Sequence, residues 1–164
     1  MKHLHDKLFV AGQLKISDFE ELKNADIKTI INNRPDNEEP GQMSADDAAK
    51  LAIEHGMEYH YLPMANGQPM PEHLVTDFKT VLQNADDKVL AHCRSGMRSS
   101  FIWALGQIAD GNISVDQAIE AAAAAGIPLN NARAVLESVQ SGNCLLYTSP
   151  SPRDQRGSRM PSSA

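Results

Sequence analysis

The sequence is short of cysteine and of basic residues, and each shortage excludes a class of protein. Of its 164 residues only two are cysteines, and acidic residues outnumber basic ones by 21 to 15. Cys144 lies in a C-terminal segment set apart below, which leaves Cys93 as the single cysteine of the rest. One cysteine builds neither a disulfide framework nor a thiolate-rich zinc site. An acidic chain is also a poor match for nucleic acid or for an anionic membrane.

Long apolar runs are absent as well. The first ten residues hold no apolar stretch of the length that a signal peptide needs, and no segment is long enough to cross a bilayer. The histidines other than His92 do not recur at the spacing of metal ligands. They are His3, His5, His55, His60 and His73. We therefore expect a cytoplasmic protein with no metal and no cofactor, which binds neither nucleic acid nor membranes.

The segment 144–164 differs from the rest of the chain. Translated back into codons, residues 144–154 and 158–164 resemble two parts of a sequencing-library adapter in their usual order. The alternative is a natural disordered tail rich in serine and proline. In both cases we expect 1–143 to form one domain and 144–164 not to pack. Without the tail's three arginines and one aspartate, basic residues fall from 15 to 12 and acidic residues from 21 to 20, so the net charge becomes −8.

Strand and helix patterns alternate along the chain. Short apolar or β-branched runs predict strands at 8–11, 27–31, 57–63 and 89–92. Helical patterns are predicted at about 17–25, 44–56, 71–84, 99–110, 114–126 and 131–140. This alternation is typical of an α/β fold, a small and largely parallel sheet flanked by helices, here with a helical C-terminal part on one side. Ligands of such sheets bind beyond the carboxyl ends of the strands.

Serines are predicted to begin three of these helices. Ser17 with Glu20 has the spacing of a capping box, and Ser44 and Ser114 precede helical patterns as N-caps. Gly56 is predicted to end the helix that Ser44 begins, because glycine adopts the left-handed backbone of a C-terminal cap without strain.

The stretch from His92 to Ser100 carries the chemistry. Cys93 ends an apolar run and begins a loop before a helical pattern. The N–H groups of Ser95, Gly96 and Met97 can turn inward, because Gly96 permits the constrained backbone of an anion cradle. A helix N-terminus and a nearby arginine lower the pKa of a thiol and so favour the nucleophilic thiolate. The first hypothesis is therefore a cysteine-nucleophile enzyme acting on an oxyanion or a sulfur-carrying anion.

Arg98 is the predicted anion ligand, because its planar fork of donors suits a tetrahedral oxyanion. Arg94 adds positive potential, although its side chain is free to point to solvent. Ser99 or Ser100 hydrogen-bonds the thiolate or helps a leaving thiolate. The alternative to this functional interpretation is a buried core cysteine beside a surface arginine. The predicted anion-binding residues around Cys93 and Arg98 are Arg94, Ser95, Gly96, Met97 and Ser99.

A second group of polar residues follows the strand at 27–31. Arg34 either shapes the rim of the pocket or pairs structurally with Asp36 or Glu38. Asp36 is kept as a supporting residue of the site. The acidic residues Asp36, Glu38 and Glu39 either approach the pocket or form a solvent-exposed acidic turn, and the exposed turn is the favoured alternative.

The chain from about Lys2 to Leu129 resembles the phosphatase-like domain family of beta-lactamase-hydrolase-like proteins. The matching blocks are 10–13, 29–36, 38–42 and 92–99. The resemblance implies a dual-specificity-phosphatase-like fold, Cys93 as nucleophile, Arg98 as anion ligand, and His92 as the residue that orients the loop. Relatives are also labelled as sulfurtransferases, and some are fused to persulfide-handling metallohydrolase domains. A fused or neighbouring persulfide-handling hydrolase is accordingly a candidate partner, beside a small anionic substrate or a persulfide or thiol donor.

Two departures from ordinary cysteine phosphatases bear on the function. Four residues separate Cys93 from Arg98, the spacing typical of rhodaneses, where those phosphatases have five. The loop expected to carry a general acid has Asn66, and an amide donates no proton as an acid. Glu72 or Asp77 either substitutes for it or is solvated on a helix. The sequence predicts a phosphatase-like hydrolase, with a sulfurtransferase and a weakly active anion-binding module as alternatives.

Overall fold

Five strands form one sheet in the structure, a computed structural model that describes residues 1–140. The strands are β1 (Lys2–His5), β2 (Leu8–Ala11), β3 (Ile27–Asn32), β4 (Glu58–Tyr61) and β5 (Lys88–His92). Their order across the sheet is β1-β2-β5-β3-β4, and only the β1–β2 pair is antiparallel among the described strands. The predicted α/β class with a largely parallel sheet is confirmed. The predictions for 141–164 lie outside the described residues.

Helices cover both faces of this sheet. One face carries α1 (Asp18–Asn24) and α2 (Ala45–Glu54). The other carries α3 (Leu74–Asn84), α4 (Met97–Ala109), α5 (Val115–Ala124) and α6 (Arg133–Gln140), with a short 3-10 turn before α6. The helical C-terminal part therefore packs on one side, as predicted.

The central strands are apolar on both faces because both faces are covered. In β5, Leu90 packs into the core beneath α1 and α2, whereas Val89 and Ala91 pack into the core beneath α3 to α6. Ile30 and Ile31 of β3 divide in the same way. This two-sided burial explains the continuous apolar runs in the sequence.

Two of the three predicted serine caps are confirmed. The Ser44 hydroxyl accepts the N–H of Asp47 at 3.1 Å, and Ser114 forms a complete capping box with Gln117. The prediction for Ser17 is wrong, because its backbone is helical and its side chain caps nothing. The carboxylate of Asp18 accepts the N–H of Lys15 at 2.7 Å instead.

Other helix ends differ little from the prediction. Gly56 ends α2 with φ +77°, the left-handed backbone predicted for it. Helix α3 begins at Leu74, after the predicted start at Pro71. Strand β1 was missed, because Leu4 is its only buried residue and so leaves no alternating pattern. Among residues 1–140, no helix is long and apolar enough to cross a membrane.

The sheet places three loops next to one another. His92 at the end of β5 is in register with Ala11 of β2 and with Asn32 of β3. Because these three strands are parallel, the segments that follow them start side by side at the carboxyl edge of the sheet. Cys93 therefore lies between the loop after β2 and the loop after β3.

Candidate active site

Cys93 is fully buried and its sulfur faces the main chain of its own loop. The N–H of Gly96 donates to Cys93 Sγ at 3.1 Å. Gly96 has φ +95°, a left-handed backbone that glycine adopts without strain, and it forms the N-cap of α4. The prediction of an amide-lined loop agrees with this geometry. Met97 departs from it, because its N–H donates to the hydroxyl of Ser95 at 3.4 Å rather than to the sulfur.

The loop lowers the pKa of the Cys93 thiol. Burial alone raises this pKa because it strips water from the thiolate, and it is the largest single effect. The main-chain N–H groups of Ser99, Ser95, Gly96 and Arg98 together outweigh it, so the pKa of Cys93 lies below its ordinary value. The stabilised form is the nucleophilic thiolate.

Arg98 is held beside the thiolate by the carboxylate of Glu38. Its Nη1 and Nη2 atoms donate to Glu38 Oε2 and Oε1 at 2.7 and 2.9 Å, and Nη1 also donates to the carbonyl oxygen of Met64 at 2.8 Å. These bonds raise the pKa of Arg98, to which the neighbouring Cys93 also contributes. The same pairing lowers the pKa of Glu38 to about 2. A forked pair of this kind fixes both the position and the plane of the guanidinium.

Arg34 shares the same carboxylate. Its Nε donates to Glu38 Oε1 at 2.7 Å and its Nη1 to Gln13 Oε1 at 2.9 Å. Its Nη2 lies 3.2 Å from Glu39 Oε1, without the geometry of a hydrogen bond. Of the two alternatives for Arg34, the structure shows the pairing with Glu38. The turn is exposed at Glu38, as the favoured alternative predicts, but the carboxylate of Glu38 also reaches the site, because its side chain is 21% exposed and lies between two arginines.

Asp36 and Glu39 lie further from the sulfur. The Asp36 carboxylate accepts the N–H of Ala45 at 2.8 Å, and its own N–H donates to the Tyr61 hydroxyl. Asp36 thus ties the loop after β3 to α2 and β4, and its role as a supporting residue of the site stays a prediction. Glu39 is half-exposed and lies 3.9 Å from Arg94, whose side chain is 69% exposed. Arg94 points largely to solvent, and its predicted part in anion binding stays a prediction.

The two loop serines are engaged away from the sulfur. The Ser99 hydroxyl donates to Asn33 Oδ1 at 2.7 Å, and the Ser100 hydroxyl donates to the carbonyl oxygen of Gly96 at 2.9 Å. The prediction that one of these hydroxyls bonds the thiolate is therefore wrong. Ser99 acts on the sulfur through its main-chain N–H instead.

His92 is buried beneath the loop in its neutral form. Burial lowers the pKa of His92 to about 4. Its Nδ1 lies 3.4 Å from the carbonyl oxygen of Cys93, and its Nε2 has no hydrogen-bond partner among residues 1–140. The carbonyl oxygen of His92 accepts the N–H of Asn33 at 2.7 Å, which joins the ends of β5 and β3.

Gly12 and Gln13 follow β2 and support the loop that begins at Cys93. No role was predicted for either residue. The N–H of Gln13 donates to the carbonyl oxygen of Arg94 at 3.2 Å. A Cβ atom on Gly12 would lie 2.8 Å from that oxygen, so only glycine allows so close an approach. The available signal was the block 10–13, which carries part of the family resemblance.

A cleft of about 320 Å³ opens beside the loop. Its lining comes from the cysteine loop, from α4 and from two more distant segments. The lining residues are Asn66, Arg94, Ser95, Met97, Arg98, Phe101, Pro128, Leu129, Asn131 and Ala132. None of these described residues has a carboxyl group. Glu72 is exposed and Asp77 lines a different depression, so neither takes the place of the general acid at this cleft.

Comparison with known proteins places the chain in a family. A model of the phosphatase-like domain of beta-lactamase hydrolase-like proteins matches residues 1–111. The chain belongs to this family. A beta-lactamase hydrolase-like protein of Agrobacterium fabrum is 36% identical over 110 residues, and one of Xylella fastidiosa is 30% identical over 134 residues. Those matches cover 67% and 82% of this chain but 25% and 31% of the relatives, so the chain spans about a quarter to a third of their length.

Solved structures of phosphatases share the fold of this phosphatase-like domain. A candidate phosphatase of Neisseria meningitidis is 34% identical with a TM-score of 0.77, covering 84% of this chain and 96% of that one. Kinase associated phosphatase is 21% identical with a TM-score of 0.63 over 87% of each chain, a likeness of fold alone. The predicted family and the dual-specificity-phosphatase-like fold are confirmed, and together they support a phosphatase-like hydrolase.

Proposed function

We propose that this domain hydrolyses a phosphomonoester or related oxyanion with Cys93 as its nucleophile. The observation that carries the proposal is the Cys93 sulfur, ringed by main-chain N–H groups and flanked by Arg98. The thiolate attacks phosphorus and the bond to the leaving oxygen breaks, which gives a cysteinyl phosphate. Water then attacks that phosphorus, releases inorganic phosphate and restores the thiolate. Arg98 and the loop N–H groups bind the non-bridging oxygens throughout.

The lining of the cleft restricts the leaving group. None of the described lining residues carries a carboxylic acid, and Asn66 supplies no acidic proton. The pKa of Glu38, at about 2, leaves that group ionised at neutral pH. A general acid typically accelerates such steps by about 10²–10⁴-fold. The substrates that suit this site therefore have leaving groups that depart as stable anions.

Sulfur transfer is the second candidate function. It is favoured by the four-residue spacing between Cys93 and Arg98 and by a cleft that offers no acid. The Cys93 thiolate would attack the outer sulfur of thiosulfate, so that the S–S bond breaks, sulfite leaves and a cysteine persulfide forms. Attack of cyanide on that outer sulfur would give thiocyanate and return the thiolate. The predicted persulfide-handling partner stays a prediction.

Two parallel assays on the full chain separate these functions. One supplies 4-nitrophenyl phosphate and the other supplies thiosulfate with cyanide, each to the unmodified chain and to Cys93→Ser. Cys144→Ser is the matched control, because Cys144 is the other cysteine and lies outside the described residues. We expect phosphate release that is lost in Cys93→Ser by at least about a thousandfold and kept in Cys144→Ser.

The other outcomes contradict the proposal in distinct ways. Thiocyanate formation with a mass gain of one sulfur on Cys93, and no phosphate release, would establish sulfur transfer in its place. Inactivity in both assays with retained phosphate binding would leave the anion-binding module. Phosphate release that survives Cys93→Ser would remove Cys93 from the mechanism.

A further inference from the structure

The cleft beside the cysteine loop has an apolar wall on the same helix as the anion ligand. Met97 and Phe101 lie four residues apart at the start of α4, so they share one face of the helix. Arg98 lies between them in the sequence and also lines the cleft. Met97 is 41% exposed, one of the few large apolar side chains so placed among the described residues. An organic group attached to an anion at Arg98 would therefore lie against Met97 and Phe101.

The opposite wall comes from the segment after α5. Pro128, Leu129 and Ala132 line it, and Leu129 is held in place because it is buried in the main core. This segment lies beyond the family match, which ends at residue 111. The anion-binding loop is thus shared with the family model, whereas this wall belongs to the part of the chain outside that match.

The charges of the lining are one-sided. Arg94 and Arg98 are the only charged side chains among the described lining residues, and both are cationic. Asn66, Asn131 and Ser95 add neutral polar groups. A cationic organic group would find no counter-ion here, and a strongly hydrated one would lose water against Met97 and Phe101 without compensation. A volume of about 320 Å³ is at the small end of ligand pockets.

We propose that this cleft binds the organic part of the substrate and selects a compact, uncharged, apolar group about the size of a phenyl ring. The proposal rests on the proposed function, because the anion bound at Arg98 and the loop N–H groups fixes where that organic group lies. Sugars and polyols are discriminated against because they lack apolar surface. Alkylammonium groups are discriminated against because the cleft offers them no counter-charge.

Binding of two phosphonates tests this without requiring turnover. Phenylphosphonate and methylphosphonate carry the same oxyanion and differ in the organic group. Calorimetric titration of each into the full-length Cys93→Ser chain compares their affinities. We expect phenylphosphonate to bind at least about tenfold more tightly, because burial of the ring removes apolar surface from water.

Variants of the two walls locate that preference. Ala132→Leu fills the cleft and is expected to reduce the preference to less than about threefold. Ala134→Leu is the matched control, because Ala134 is exposed on α6 and does not line the cleft. If Ala132→Leu fails to fold, Met97→Ala removes an exposed wall side chain and is expected to weaken phenylphosphonate severalfold. Ile53→Ala, at a residue 70% exposed on α2, is its control.

The outcomes distinguish the proposed apolar subsite from the proposed hydrolase function on which it rests. Equal affinity for the two phosphonates, with Cys93-dependent phosphate release intact, would overturn the apolar subsite alone. A preference that persists in both Ala132→Leu and Met97→Ala would place the ring elsewhere and overturn it too. Failure of both phosphonates to bind would overturn the anion site together with the subsite.

Discussion

The two loops that follow β5 and β3 lie side by side and contribute different chemistry. The loop at 93–96 presents one sulfur and main-chain N–H groups. The loop at 33–43 presents side chains, and its Glu38 carboxylate holds Arg98 from outside. The first loop is suited to react and the second to position. The cysteine that we propose as nucleophile is thus specified by adjacent residues, whereas the geometry around it is specified by tertiary contacts.

After the loss of Cys93 itself, the largest expected effect comes from replacing Arg98, the arginine that lies between the two loops. Arg98→Lys keeps the charge but loses the planar fork that pairs with Glu38 and faces the thiolate. We expect kcat/KM for 4-nitrophenyl phosphate to fall by about 10²–10³-fold. Arg133→Lys is the control, since Arg133 also pairs with carboxylates but is exposed on α6. Equal rates for the two variants would show that the fork of Arg98 is not used.

Glu38→Gln removes the carboxylate charge of the loop after β3 and leaves the sequence of the cysteine loop unchanged. Two buried guanidiniums then lose a charged partner, which destabilises the fold by about 2–3 kcal/mol after allowance for the part of Glu38 that reaches water. We also expect weaker competitive inhibition by phosphate, because Arg98 is no longer fixed. Denaturant titration and inhibition kinetics measure the two effects.

Glu39→Gln sharpens this result, because Glu39 is adjacent in sequence but half-exposed. Its loss is expected to cost less than about 1 kcal/mol. If Glu38→Gln were no more destabilising than Glu39→Gln, and phosphate inhibition were unchanged, the positioning role of the loop after β3 would be wrong.

The difference between the loops after β5 and β3 explains how much of the site could be predicted from the sequence. The Cys93–Arg98 stretch is contiguous, so the strand end, the glycine and the arginine were visible in one motif. Glu38 is 60 residues from Arg98 in the chain, and an acidic turn with no periodic pattern favours solvent exposure in any local argument. The pairing follows only once β3 and β5 are known to be neighbours.

The fold shows the same limit on a smaller scale. The alternation of strands and helices predicted the layers, because both faces of the parallel strands require apolar residues. The Ser17 cap failed although its spacing with Glu20 is correct, because the carboxylate of Asp18 closes the turn from Lys15 instead. Choices between two nearby hydrogen-bonding side chains depend on the exact path of the chain, which spacing does not specify.

His92 lies where the two loops join, and its burial predicts a pH effect on stability. The pKa of His92 is about 4 in the folded chain, against 6.5 for an ordinary histidine. As the pH falls below 6.5, His92 takes up a proton in the unfolded chain but stays neutral in the folded chain. The free energy of unfolding therefore decreases down to about pH 4. We expect a loss of about 2 kcal/mol by pH 5 relative to neutral pH.

His92→Asn should flatten that part of the stability curve, as measured by denaturant titration at several pH values. The contribution of Glu38 is separable, because its pKa of about 2 is lowered from 4.5, and the stability it provides is lost only as the pH falls between those values. An unchanged slope between pH 6.5 and 4 in His92→Asn would contradict the buried neutral histidine.

A smaller effect is expected from the backbone of the reactive loop. Gly96→Ala and Gly111→Ala both force a side chain into left-handed backbone, at φ +95° and +75°, and each should cost about 1 kcal/mol of stability. Of these two glycines, only Gly96 donates its N–H to Cys93 Sγ, and a Cβ atom added to Gly96 would lie 3.1 Å from the side chain of Ile127. We expect kcat/KM to fall about tenfold in Gly96→Ala and to stay unchanged in Gly111→Ala. Equal activity would mean that the Gly96 amide does not contribute.

The ionisation of Cys93 is the most direct test of the whole account. Thiolate absorbance in the ultraviolet is followed against pH in the full chain carrying Cys144→Ser, with the chain carrying both Cys93→Ser and Cys144→Ser subtracted. An ordinary cysteine thiol has a midpoint of about 8.5. Because the surrounding N–H groups outweigh the effect of burial on the pKa of Cys93, its midpoint should lie below that reference value. A midpoint at or above that value would contradict it.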